Sequence, residues 1–418
     1  MNNYGIDYEE VKLKSGLKTI LLRTPGYKSN SACIVAPIGG RICPLTIDGV
    51  EIPTGIAHFL EHRLFDTIKG DAFQLLSEIG CDSNAYTTFD YTCYYFSCTK
   101  NLLKGIQILF DMTTNLQFKE EQVENEKNII IQEMKMKYDD PHNRLSSGLL
   151  NNLFVFDNIN KDIVGDEKDI KRTTLNHLKL VFESFYNVNQ LTLIIAGDLP
   201  KNIVSKLNKL KINNKQYNHN IEFGQRKESS QISRDYKHTS MDVPIPLNSI
   251  GVKIPLALKD KFKMTNSEFL ALLGITENVL FTDSAKLCKE IRENKGSESP
   301  VYGGFIICKD YAVFTIETIT KNSNRFIKQV KDILKNLEKY VSKEIFERQK
   351  KFILGMAIST LTLPENVCMD FASDYAISSN LFERLSAITS IKYKDVLKLV
   401  NEIKLGLPSV HVISKKGN

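Results

Sequence analysis

The stretch from Pro53 to Phe65, Pro-Thr-Gly-Ile-Ala-His-Phe-Leu-Glu-His-Arg-Leu-Phe, constrains this chain more than any other. Pro53 and Thr54 stand where a helix starts, and Ile56, Leu60 and Leu64 recur at helical spacing, so the segment predicts a helix with one apolar face. At about 100° per residue, His58 and His62 fall about 40° apart, and Glu61 lies about 60° to the other side of His58. All three share one arc of about 100°. Two imidazoles a turn apart are half of a zinc site, and a carboxylate beside them can take a proton from water activated there. The order is H-x-x-E-H, the reverse of the commoner H-E-x-x-H. Residue frequencies alone put such a match in about one chain in a hundred, so the pattern needs a third ligand to carry weight.

A candidate comes from a second predicted helix, about Lys119 to Tyr138, ended by Asp139-Asp140-Pro141. It carries Glu126 and Glu133, which project from one face about 20° apart. A carboxylate from a separate helix completes a three-ligand catalytic zinc site with an open position. Periodicity does not say which glutamate ligates. It also allows both to line a solvated face beside Lys127 and Lys135.

The rest of the chain bounds the setting. A length of 418 residues suggests two or three domains. The net charge of +6 is spread through scattered lysines with no basic stripe, so no nucleic-acid partner is expected. The opening Met1 to Glu10 lacks a basic start and an apolar core, and the longest apolar runs, 191–196 and 269–273, are too short to span a membrane. Eight cysteines without a CxxC pair read as reduced and buried, and the expected location is cytoplasmic. His142, His177, His219, His238 and His411 lack partners at ligand spacing and read as surface or capping residues.

β-prone runs at 8–13 and 18–23 flank the turn Lys14-Ser15-Gly16, followed by strands at 32–37 and across 82–98 and by one at 191–197. Helices are predicted at 71–78, 102–116, 143–155, 173–185 and 199–210. The polar, unperiodic stretch 216–245 reads as a linker between domain 1–215 and domain 246–418. The second half repeats the first in outline, but its helix at 265–281 has no histidine, so only the first copy is expected to hold metal.

His58-Phe59-Leu60-Glu61-His62, Gly80, Asn84-Ala85-Tyr86-Thr87, Glu126-Lys127-x-x-Ile130-x-x-Glu133, Ile163-Val164-Gly165 and Phe185-Tyr186-Asn187-Val188-Asn189 together resemble the pitrilysin/insulinase family of zinc peptidases, in particular its small bacterial members. The resemblance implies an α+β fold of two similar domains, each a mostly antiparallel sheet packed with helices, forming half of a clamshell. It implies one Zn2+ per chain on His58, His62 and Glu133, with Glu61 as general base and Glu126 supporting the site. Asn84 and Ala85 would bind peptide as an added strand. The family also uses an Arg and a Tyr seven apart from the second half of a chain; here Arg292 is followed by Tyr302 ten residues on. Implied partners are a peptide substrate and a second chain, in a homodimer or heterodimer. The function expected is an endopeptidase closing around short or unfolded peptides, with peptide maturation as an analogy. The alternatives are the catalytic half of an obligate heterodimer and a non-catalytic interaction subunit.

Overall fold

Across the turn at Gly16, whose φ of +96° suits glycine, Asp7–Lys12 pairs antiparallel with Lys18–Arg23. This hairpin opens a computed structural model that describes residues 5–117, 119–224 and 227–415. Contacts divide the chain into two compact units. The first comprises Met1–Met134, Asp162–Gln225 and Ile358–Ile377; the second comprises Lys135–Lys161, Arg226–Ala357 and Ser378–Asn418.

The first unit is built on a six-stranded sheet in the order Asp7–Lys12, Lys18–Arg23, Thr192–Gly197, Asn30–Ala36, Thr92–Cys98, Cys81–Thr87. Thr192–Gly197 runs parallel to Lys18–Arg23, and every other pairing is antiparallel. Ile20, Leu21, Ile34, Leu193, Ile194 and Phe96 are wholly buried, as expected of strands covered on both faces. The helix Pro364–Ala376 packs on this sheet, about 170 residues beyond Thr192–Gly197 and about 330 beyond Asn30–Ala36, the strands it covers. The sequence reading passed over it.

The second unit has a five-stranded sheet in the order Tyr236–Ser240, Ser409–Ser414, Leu247–Pro255, Tyr311–Ile319, Tyr302–Ile307. Its single parallel pair is Tyr236–Ser240 with Ser409–Ser414. Five strands of the first sheet, from Lys18–Arg23 to Cys81–Thr87, have this same pattern, so the duplication read from the outline is present in the topology. The helix Pro141–Leu153 packs on this second sheet. Each unit is therefore an α+β layer of mostly antiparallel strands and helices, closed by a helix borrowed from the other half of the sequence.

Two local expectations change. The helix expected at 199–210 is only Ile203–Leu207, with Ile203 and Leu207 its buried residues. The stretch 216–245 contains one of five passages between the units, and it also holds two strands, Ile221–Phe223 and Tyr236–Ser240. Ile221–Phe223 joins Leu45–Ile47 and Val50–Ile52 in a small sheet whose strands are too short to show alternation. All eight cysteines are buried free thiols. Among the described residues no single helix is long and apolar enough to cross a membrane.

Candidate metal centre

The motif helix is Ile56–Arg63. It starts at Gly55, which is left-handed at φ +79°, and a Cβ there would fall 2.1 Å from the Val164 carbonyl oxygen. Thr54 donates from its backbone N–H (2.9 Å) and hydroxyl (2.5 Å) to Asp169 Oδ2, placing a carboxylate at the positive end of the helix. The hydrogen bonds to Thr54 and Arg172 outweigh burial and hold the Asp169 carboxyl below its ordinary range. The sequence predicted one buried face. Instead every residue from Ile56 to Glu61, and Arg63, is buried, and only His62 is half-exposed. The histidines thus face an interior site.

Glu120–Asp139 is the second helix, and it settles which glutamate meets which histidine. His58 Nε2 lies 3.4 Å from Glu133 Oε1, and His62 Nε2 lies 3.4 Å from Glu133 Oε2. The two imidazole centroids are 4.6 Å apart. One ligand atom from each of the three residues falls within 4.8 Å of the others. Four ligands held tetrahedrally at about 2.0–2.1 Å from zinc stand about 3.3 Å from one another, so the histidine–glutamate separations fit a tetrahedron's edges.

Glu126 is two turns away and does different work. Its Oε1 is 3.0 Å from His62 Nδ1, and its Oε2 accepts from Arg63 Nη1 at 2.5 Å. Arg63 also pairs with Asp66, which accepts from Gln122 at 2.9 Å. A carboxylate on Nδ1 makes that nitrogen the N–H donor and turns the Nε2 lone pair toward Glu133. Burial opposes charge on both partners. The hydrogen bonds win: they hold the Glu126 carboxyl below its ordinary range and, with Glu133, push the metal-free His62 imidazolium up to about 9. His58 Nδ1 is buried without a hydrogen-bond partner.

Glu61 points elsewhere in the same cluster. Its Oε2 accepts a 2.5 Å hydrogen bond from the Thr87 hydroxyl. Thr87 ends the strand Cys81–Thr87, the open edge of the first sheet, which also carries Asn84 and Ala85. Asn84 Oδ1 accepts from the Ala85 N–H at 2.8 Å. Thr87 and Arg63 were given no role in the sequence reading, and strand alternation was the available signal, since Thr87 and Ala85 share a face. Arg292 and Tyr302 lie in the second unit. Arg292 donates to the Asp283 carbonyl at 2.9 Å, and Tyr302 is 63% exposed at the start of an edge strand.

The remaining histidines divide. His177 caps its own helix with Thr174. His219 bridges Asp48 and Glu183 at 2.6 and 3.0 Å. His411, expected at the surface, is fully buried in the second sheet, where the register of Ser409–Ser414 turns it inward.

Comparison with known proteins agrees with this geometry. A family model described as "Insulinase (Peptidase family M16)" matches residues 51–167, and one described as "Peptidase M16 inactive domain" matches residues 172–353. The uncharacterized zinc protease YmfH of Bacillus subtilis (strain 168) is 28% identical over 414 residues, covering 95% of each chain. An M16-like peptidase from Alicyclobacillus acidocaldarius has the same fold, with a TM-score of 0.88 at 22% identity over 98% of this chain and 99% of that one. The ferredoxin protease FusC, solved with Arabidopsis ferredoxin, matches 100% of this chain but only 48% of its own length, at TM-score 0.69 and 16% identity. With the two models covering most of the chain, this protein belongs to peptidase family M16, the insulinase family.

Proposed function

We propose that the chain is a zinc-dependent endopeptidase that hydrolyses short or unfolded peptides, with His58, His62 and Glu133 holding one zinc ion. The observation that carries this reading is the pair of 3.4 Å separations from Glu133 to the two Nε2 atoms. When bound, zinc supplies a Lewis acid able to acidify water to a pKa of about 7 and to polarise a carbonyl. Glu126 and Arg63 fix the His62 tautomer. Glu61 accepts the proton of the attacking water and hands it to the amine nitrogen as the peptide bond breaks. Two carboxylates thus have separate duties, Glu133 binding and Glu61 proton transfer.

The peptide adds as a strand on the outer edge of Cys81–Thr87, where Asn84 and Ala85 meet its backbone. That edge leads to Thr87 and so to Glu61, which brings a docked peptide to the reacting groups. A second copy or a related chain completes the enclosing chamber. FusC, a protease about twice as long, favours this reading, because this chain matches about half of it. Arg292 and Tyr302 act on substrate within such an assembly. A cytoplasmic location suits eight unpaired thiols. The complete His58, Glu61, His62 and Glu133 set argues against a purely structural subunit.

The test is cleavage of a quenched peptide library by the purified chain and by Glu61→Gln, with zinc measured in both. About one zinc per chain in each, with cleavage only by the wild type, is the expected result. Absence of zinc from both removes the reading. Zinc without cleavage by either favours the heterodimer.

A further inference from the structure

We propose that Thr87 is the positioning residue for the base, fixing one oxygen of Glu61 so that the other is presented to water. The proposal rests on Glu61 being the proton acceptor. Thr87 and Thr92 face each other across the hairpin that joins the two outermost strands of the first sheet, with their hydroxyl oxygens 3.3 Å apart. Each hydroxyl has one proton to give. Thr92, fully buried, donates to the Ile38 carbonyl at 2.8 Å, an oxygen that can only accept. The Thr87 proton is left for Glu61 Oε2, and it lies along a 2.5 Å contact. An ionised carboxylate can only accept, so the direction of this bond is fixed in the state that acts as base.

The consequence is an asymmetric carboxylate. Oε2 is held by a hydroxyl carried on a strand of the sheet. Among the described residues Oε1 has no hydrogen-bond partner, and it is the oxygen left to receive a proton. Rotation about the last side-chain bond of a glutamate is broad when nothing holds it. A bond from a packed strand removes that freedom before substrate arrives, which is worth rate and not substrate affinity. Thr87 makes no claim on the peptide itself.

Thr87→Val keeps the shape and removes the proton, while Thr87→Ser keeps the proton and removes a methyl group. The experiment compares both with wild type by cleavage of quenched peptides, zinc content, thermal unfolding and crystal structure. In Thr87→Val the expected result is a fall in kcat of about tenfold to a hundredfold, with KM within about twofold and zinc per chain unchanged. The Glu61 carboxylate turns away from its wild-type position in that crystal structure. Thr87→Ser brings kcat back to within about threefold of wild type.

Thr87→Val with wild-type kcat overturns the proposal. So does a Thr87→Ser protein as slow as Thr87→Val, which means that Thr87 only packs the hairpin. Should the wild type bind zinc and cleave nothing, the reading of a self-sufficient peptidase fails by itself. The crystallographic comparison then still decides the proposal: an unmoved Glu61 carboxylate in Thr87→Val overturns it, and a rotated one supports it.

Discussion

Gly55 and Val164 meet so closely that a Cβ on the glycine would sit 2.1 Å from the valine carbonyl oxygen. The same crossing is tight from the other side, where a Cβ on Gly165 would fall 2.7 Å from the Thr54 carbonyl oxygen. The first turn of the motif helix is thus seated against the chain at 164–165, and Asp169 closes the seat through Thr54.

Gly55→Ala is therefore expected to destabilise the first unit. The left-handed φ of +79° costs an alanine about 1–2 kcal/mol, and overpacking against backbone adds about 1–3 kcal/mol. Thermal unfolding measures the loss, and zinc content should fall with it because both histidines ride on this helix. A variant with wild-type melting temperature and zinc content would show that the seat is dispensable.

Glu126 and Glu133 should separate cleanly on mutation. Glu133→Gln removes a ligand and is expected to abolish stoichiometric zinc binding. Glu126→Gln leaves all three ligands but weakens the hold on His62 Nδ1, and is expected to reduce zinc affinity by about 10–100-fold. Competition against a chromophoric chelator reads both. The reverse ranking would exchange their roles.

Asn84→Ala tests the open edge. If Asn84 meets the peptide backbone, KM should rise about fivefold, with kcat and zinc content little changed. An unaltered KM would move the substrate strand elsewhere.

His411 makes stability depend on pH. Its Nδ1 donates to the Leu145 carbonyl at 2.8 Å, so Nε2 is the acceptor for the Thr239 hydroxyl at 2.9 Å, and the ring is neutral. Burial is the main cause that pushes its pKa down from 6.5 to about 4. A depressed histidine contributes stability above its unfolded value of 6.5 and loses it as pH falls toward 4. The amount at stake is about 3 kcal/mol. Denaturant titrations between pH 7 and pH 4.5 should show a shallower slope for His411→Gln than for wild type, and equal slopes would refute the assignment.

Much of the site was legible because it is local. Within one helix the angles between His58, Glu61 and His62 follow from 3.6 residues per turn, whatever surrounds them. Runs rich in β-branched and aromatic residues likewise gave the first sheet its members. Residues 364–376 escaped because a helix packed on strands from the other half of the chain carries no local mark of its destination. His411 was misplaced for a similar reason, since a lone histidine in a short apolar strand reads the same whether its face is covered or open.

By itself, the sequence determined the helix that carries His58, Glu61 and His62 and the duplicated α+β plan, since each depends on the spacing of neighbours in the chain. Periodicity left Glu126 and Glu133 open, and the tertiary structure shows how each lies against the histidines. Both project from one helix face, and only the approach of a second helix sets Glu133 at 3.4 Å from both imidazoles while Glu126 falls beside His62 Nδ1 and Arg63. It also decided what holds Glu61. Thr87 is 26 residues away in the chain, and a hydrogen bond between a helix and a sheet edge depends on how the two are packed, which no periodicity records.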